Sequence, residues 1–198
     1  MNNEKFYKDK VKNGSDFTNP ETVGWHNKDL ALKRYEVISA MIPVDAKRVA
    51  DFGCGTGIFT DYLPEWVEEY TGYDIMSEYI QIANGTRANG RIIFKTADVD
   101  KVTYHDCIVS IGTFTLRFDW PTDEEYAKYF EEKVKDLLTR TKTLVINGFS
   151  KAVDSIDPKL YYHDMNLLFK IAKDCGFIVN ITNVLVGHEF VAIFTKRD

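Results

Sequence analysis

The run Arg48 to Gly57, R-V-A-D-F-G-C-G-T-G, constrains this chain more than any other stretch. A short apolar segment closes on Asp51, and Gly53, Gly55 and Gly57 then make a turn almost without side chains. Ile58 to Leu63 can start a helix. Strand, bare turn and helix N-terminus in that order place free backbone N–H groups beside a bound ligand. The spacing excludes two common uses of such a turn. A dinucleotide fingerprint, G-x-G-x-x-G, needs its third glycine where Ile58 stands. A phosphate-binding Walker loop needs Gly-Lys-Ser/Thr, and that triplet is missing here.

Hydrophobic patterning predicts alternating strands and helices along the rest of the chain. Strands are expected at Arg48–Phe52, Glu69–Tyr73, Arg91–Lys95, Cys107–Ile111 and Thr143–Asn147. The fourth is near-continuously apolar, as in a strand buried on both faces. Helices are expected from Ile58, over Ser77–Ala83 with an end near Asn84-Gly85, from Thr122 to about Arg140, and over Met165–Cys175. Thr122 and Glu125 form a capping box, and Gly176 is placed to end the last helix. Phe177–Val186 and Glu189–Thr195 read as two strands joined by Gly187-His188. The alternation argues a mostly parallel sheet between two helical layers, a Rossmann-like α/β sandwich. Seven strands are expected, the terminal hairpin adding one antiparallel strand. Residues 1–46 read as an arm or lid plus a helix, and 47–198 as the single globular domain.

With 198 residues the chain suits one core and is short for two. No run of about 18 apolar residues is present, so a membrane span is not expected. The charged start M-N-N-E-K-F-Y-K-D-K has no apolar segment behind it, which gives no sign of a secretory leader. Cys54, Cys107 and Cys175 are isolated and odd in number, pointing to a reducing cytoplasm and to no zinc site. A net charge of −5 without a Lys/Arg block disfavours bulk nucleic-acid binding.

The D-x-G-x-G-x-G turn with its strand-end aspartate resembles the first motif of the class I, S-adenosylmethionine-dependent methyltransferases. The acidic residues that follow extend the resemblance. Asp74 ends the second strand, where a carboxylate can accept two hydrogen bonds from a ribose diol. Asp98, in T-A-D-V, follows the third strand. The family places a carboxylate there on the adenine amino group, with a neighbour such as Val99 covering the ring. Asp51 would orient the glycine turn or reach the methionine ammonium. The resemblance extends cofactor contact to Gly53, Cys54, Gly55, Gly57, Ile75 and Ile111. Each aspartate alone can equally be a turn cap.

The sulfonium methyl is electrophilic already, so the protein mainly aligns a nucleophile. A general base is needed only for an acceptor that starts protonated. Ser110-Ile111-Gly112-Thr113 stands where base amino-methyltransferases carry Asp/Asn-Pro-Pro-aromatic, and no cysteine follows a proline as in cytosine-ring enzymes. Both departures count against a DNA base. A metal is not expected, because Asp119 lies well past the fourth strand.

Several segments are similar to a narrower group of small bacterial and phage class I enzymes of unassigned substrate. They are Val23 to Val37, Ser110 to Arg117, Leu144 to Ser150, Asp157 to Asp164 and Gly187 to Phe190. Pocket candidates come from them. Trp25 could lie over the sulfonium with its electron-rich face, or simply pack. Arg34 could hold the cofactor carboxylate bidentately, or be a solvated helix residue. His163 is the general-base candidate because its free pKa is near neutral, against the alternative of a loop histidine without catalytic duty. Tyr161 and Tyr162 could stack on an acceptor or close the core, and His188 sits in a hairpin turn. The expectation is a cytoplasmic methyltransferase of a small metabolite that yields S-adenosylhomocysteine. The alternatives are a methyltransferase of tRNA or protein and a non-catalytic binder of the cofactor.

Overall fold

The computed structural model describes residues 5–9, 19–25, 27–118, 120–153, 156–183, 185 and 187–197. Helix α1 (Lys28–Ser39) leads into β1 (Arg48–Phe52). After the glycine turn come β2 (Glu69–Asp74), α2 (Ser77–Thr86), β3 (Ile92–Thr96) and β4 (His105–Ser110). Then follow α3 (Asp123–Leu138), β5 (Thr141–Ser150), a two-residue β6 (Tyr162–His163), α4 (Met165–Cys175), β7 (Phe177–Thr182) and β8 (Glu189–Lys196).

The sheet order is β3-β2-β1-β4-β5-β8-β7. The first five strands are parallel, and β8 runs antiparallel to both β5 and β7. Alternate residues of the central strands face two separate apolar layers. Ala50, Phe52 and Ile108 pack with Phe130, Val134 and Leu168 of α3 and α4. Val49, Cys107 and Val109 pack with Ile38 of α1 and Ile80 and Ala83 of α2 on the other side. Chain order reverses between β1 and β4, which opens a crevice at their carboxyl ends, the place where such sheets bind ligands. Among the described residues no helix is long and apolar enough to cross a membrane.

Four local expectations need correction. No α-helix follows the glycine turn, and Ile58–Tyr62 is a 3-10 helix instead. Leu63 is extended (ψ 132) because it precedes Pro64, whose ring disfavours a helical conformation at the residue before it. Helix α2 runs through Asn84-Gly85 to Thr86, whose hydroxyl bonds back to the Ile82 carbonyl at 2.8 Å. The sheet has eight strands rather than seven. Strand β5 outruns β4, leaving Phe149 and Ser150 free to pair with Tyr162 and His163. Finally, β7 stops at Thr182, so the connection to β8 is longer than the expected two-residue turn; Val186 lies outside the described residues.

The capping expectations match the observed ends. Thr122 Oγ1 accepts from the Glu125 N–H at 3.1 Å, and Gly176 closes α4 with φ 75.

Candidate functional site

The glycine turn has its shape because neighbours crowd it. Gly53 has φ +82, and a Cβ there would sit 2.1 Å from Thr113 Oγ1. Gly55 has φ +55, and a Cβ there would sit 2.9 Å from Val23 Cγ1. Only glycine combines left-handed backbone with such close approach. Thr113 and Ser110 hydroxyls both donate to the Phe52 carbonyl at 2.9 Å, tying the end of β4 to the end of β1.

The expected free N–H groups are already engaged. Gly53 and Cys54 N–H donate to the Tyr73 carbonyl at 2.7 and 3.0 Å, and Gly57 N–H donates to Cys54 O. Gly55 N–H donates to Asp74 Oδ2 at 2.9 Å. With a 3-10 segment behind it, the turn folds onto the end of β2 rather than presenting a helix N-terminus. What it leaves open is carboxylate. Asp51 is 2% exposed, and its Oδ2 accepts from Tyr70 OH at 3.0 Å. Its Oδ1 is buried without a partner among the described residues. Burial raises its pKa to about 7; the Tyr70 hydrogen bond opposes that rise and the nearby Asp74 charge adds to it.

Asp74 takes Gly55 N–H on one oxygen and Met76 N–H on the other, at 2.9 and 2.8 Å. Burial raises its pKa while those backbone donors hold it down. Each oxygen keeps a second lone pair for a ligand. Asp98 accepts from Val99 N–H at 2.6 Å and from Lys133 Nζ at 2.7 Å.

Asp51, Asp74 and Asp98 open on one cavity of about 350 Å³. Of the other expected residues, Gly53, Cys54, Gly55, Ile75, Ile111, Trp25 and Arg34 also line it. Ile75 is 60% exposed, an apolar side chain left bare at the end of β2. Trp25 donates from Nε1 to Tyr35 OH at 3.2 Å, and its benzo edge lies where a Cβ on Gly112 would fall. The cation over the Trp25 ring is Arg34, 4.5 Å from the centroid. Arg34 in turn gives Nε and Nη2 to Glu189 at 2.6 and 2.7 Å. That edge of the guanidinium is therefore not available to a ligand carboxylate.

The structure takes the remaining candidates elsewhere. His163 is 1% exposed, and Nε2 faces the Phe114 carbonyl at 2.9 Å. Its ring packs against Phe130, Tyr161 and Phe190, and burial lowers its pKa to about 4. A neutral imidazole enclosed in the core cannot reach an acceptor, which removes the general-base assignment. Tyr161 stacks on Tyr126 at 3.9 Å in the same core. Tyr162 and His188 pack on Phe149 and on each other. None of these four lines the cavity. Nor do Gly57, which faces the Phe94 ring, and Val99, which is buried with Val102 in the apolar layer of α3; Ala97 and Tyr129 occupy that wall.

Sequence reasoning missed the aromatic part of the wall. Tyr7, from the helical segment 5–9, packs edge-on to Tyr79 and Phe118 at 5.9 and 5.8 Å, and all three line the cavity. Phe118 has φ 47, the one positive value among the described non-glycine residues. Such a backbone is uncommon for a bulky residue and marks a position fixed by its surroundings. Composition carries no signal for these residues, since they come from separate elements. Among the described residues no group of three or more His, Cys, Asp or Glu could hold a metal ion.

Comparison with known proteins agrees with this geometry. Residues 49–138, from β1 through α3, match the family described as a methyltransferase domain. Magnesium protoporphyrin IX methyltransferase from Synechocystis PCC 6803, solved with bound S-adenosylhomocysteine, superposes with TM-score 0.70 at 15% identity. The match covers 99% of this chain and 100% of that one. The methyltransferase domain of a bacterial Hen1 superposes at 0.68 with 19% identity, over 85% and 100% of the two chains. Streptomyces venezuelae DesVI does so at 0.66 with 10% identity, over 86% and 93%. At these identities the likeness is one of fold. No curated protein matches in sequence.

Proposed function

We propose that the chain is a class I, S-adenosylmethionine-dependent methyltransferase, and that it methylates a small molecule bound beside the cofactor in the cavity at the carboxyl ends of β1, β2 and β4. The observation that carries this reading is Asp51, which lines that cavity and whose Oδ1 is buried without a partner among the described residues. A carboxylate oxygen held out of water without a donor is costly unless a ligand supplies one, and an ammonium group does so. The residues therefore fit the cofactor. Asp51 would hold the methionine ammonium, Asp74 the ribose hydroxyls and Asp98 the adenine amino group. Ile75, Ala97 and Tyr129 would flank the ring, and Gly53 and Gly55 would let backbone approach where side chains would collide.

The bound cofactor supplies an electrophilic methyl group on a positively charged sulfur. The chain's own contribution is alignment and exclusion of water. Three acidic side chains at the wall suit a ligand that carries positive charge, and Tyr7, Trp25 and Phe118 add aromatic surface to that wall. No histidine or lysine is among the cavity's described lining. An acceptor whose nucleophile is unprotonated near neutral pH needs no general base here. A largely apolar cavity with three aspartates in its wall and a net charge of −5 favour a small acceptor over a phosphate backbone.

Isothermal calorimetry tests the cofactor assignment. Micromolar binding of S-adenosylhomocysteine is expected, lost in Asp74→Ala, and binding of NAD in its place would overturn it. Methyl transfer from labelled S-adenosylmethionine into a metabolite extract is expected. Tight, salt-sensitive binding of RNA would overturn the small-acceptor reading.

A further inference from the structure

Four of the sequence segments that resemble the small bacterial and phage group converge in space around one buried carboxylate. Glu189, the first residue of β8, is 1% exposed. Its Oε1 accepts from Arg34 Nε at 2.6 Å and from Asn147 Nδ2 at 2.8 Å, and its Oε2 accepts from Arg34 Nη2 at 2.7 Å. Asn147 Oδ1 in turn accepts the backbone N–H of Gly112 at 2.8 Å. Arg34 lies over Trp25, and the edge of Trp25 rests on Gly112. The loop thus closes: Glu189, Arg34, Trp25, Gly112, Asn147 and back to Glu189. Trp25, Arg34 and Gly112 line the cavity, while Glu189 and Asn147 stand behind them.

We propose that Glu189, with Asn147, is a positioning residue that fixes Trp25 and the Gly112 turn as one wall of the cofactor cavity. A buried ion pair is a weak source of net stability, because removing both charges from water costs about as much as their attraction returns. Its attested use is specificity of arrangement, and here the arrangement ends on a binding surface. The fork of Arg34 matches a carboxylate in one orientation only, so the guanidinium plane is set for stacking on the indole. Asn147 carries the same anchor to the backbone of Gly112, whose φ of +80 brings that turn under Trp25. The inference rests on the cofactor reading above for the identity of the ligand, but the placement of Trp25 can be tested without ligand.

Trp25, Trp66 and Trp120 are the three tryptophans of the sequence. A Trp66→Phe/Trp120→Phe protein reports Trp25 alone. Adding Glu189→Gln keeps the shape of the side chain but sets an amide against the Arg34 fork. Acrylamide quenching of ligand-free Trp25 should rise about twofold, and S-adenosylhomocysteine affinity should fall about tenfold, equivalent to about 1.4 kcal/mol. Asn147→Ser, which leaves the Arg34–Glu189 pair intact, should weaken affinity less, about threefold. Unchanged quenching in a cooperatively melting Glu189→Gln protein overturns the proposal. If that variant does not fold, Arg34→Lys keeps the charge without the fork. Raised quenching of Trp25 is then expected, and unchanged quenching overturns the proposal. A parent protein that binds no S-adenosylhomocysteine defeats the cofactor reading, whereas the ligand-free quenching decides on the positioning role.

Discussion

Asp51 and His163 are both buried titratable side chains with one polar atom that lacks a partner among the described residues, yet their surroundings give them opposite meanings. Asp51 faces a cavity across a turn of bare backbone, with like charge from Asp74 close by. His163 faces aromatic rings and one backbone carbonyl. Burial pushes each toward its neutral form, up for the acid and down for the base. An orphaned polar atom therefore marks a ligand site where it opens on a cavity, and a packing compromise where it does not.

The largest expected effect comes from treating His163 as a core residue. Truncation in His163→Ala empties a space among Phe130, Tyr161 and Phe190, and should cost about 3 kcal/mol in a denaturant melt. Affinity for S-adenosylhomocysteine should stay within about twofold. The folded pKa lies below the ordinary value of 6.5, so the neutral ring's contribution is full above that value. It is lost as pH falls from 6.5 toward 4, and the gap between wild type and variant should narrow over that window. A variant with normal stability and poor binding would return His163 to the site.

Gly53→Ala probes the opposite region. Its Cβ would meet Thr113 Oγ1 at 2.1 Å while the backbone is held at φ +82. Affinity for S-adenosylhomocysteine should fall about a hundredfold, roughly 2.7 kcal/mol. Thr113→Ala in the same protein should recover only part, because it removes the collision and leaves the strained backbone. Full recovery would assign the effect to the collision alone.

These two regions also differ in how legible they were. The β1 end and glycine turn are written in ten consecutive residues, so Asp51, Gly53 and Gly55 could be placed from local pattern. Asp74 and Asp98 follow from strand ends, which apolar runs announce. His163 could not be placed that way. Its position depends on β5 outrunning β4, so that Tyr162 and His163 pair with Phe149 and Ser150 and turn inward. Tyr7, Tyr79, Phe118 and Tyr129 were missed for the same reason, since their meeting is a property of tertiary packing. Arg34 was legible as a pocket candidate and lines the cavity, but its partner Glu189 is 155 positions away and no local rule connects them. The missing α-helix after the turn was readable in retrospect from Pro64 and its effect on Leu63.

Asp51→Asn should have a smaller effect, and one that depends on pH. A carboxylate partner for an ammonium group exists only when Asp51 is ionised. Wild-type affinity for S-adenosylhomocysteine should therefore tighten as pH rises through about 7, and the variant should be about tenfold weaker at pH 8 and nearly equal at pH 6. Stability of the ligand-free protein has the reverse sign. Between 3.8 and about 7 the folded state holds a proton on Asp51 that the unfolded state has released, so the Asp51 contribution declines with rising pH across that window and levels off above it, against the His163 contribution, which rises between about 4 and 6.5. Asp74, also raised, adds to the decline, and Asp51→Asn should flatten only part of it. A wild-type affinity independent of pH between 6 and 8 would mean that Asp51 does not meet the ligand's positive charge.

The smallest effect separates glycines that serve the cavity from one that does not. Gly85 lies within α2, has nothing within 4 Å of a built Cβ, and shows no positive φ. Its flexibility costs the helix without serving the turn, so Gly85→Ala should raise stability by about 0.5–1 kcal/mol and leave ligand affinity unchanged. Thermal melts with and without S-adenosylhomocysteine resolve the two quantities, because a pure stability change shifts both curves equally. A loss of stability would mean that the last turn of α2 does not tolerate a side chain at position 85. An altered ligand shift would instead mean that α2 moves on binding and carries Tyr79 with it.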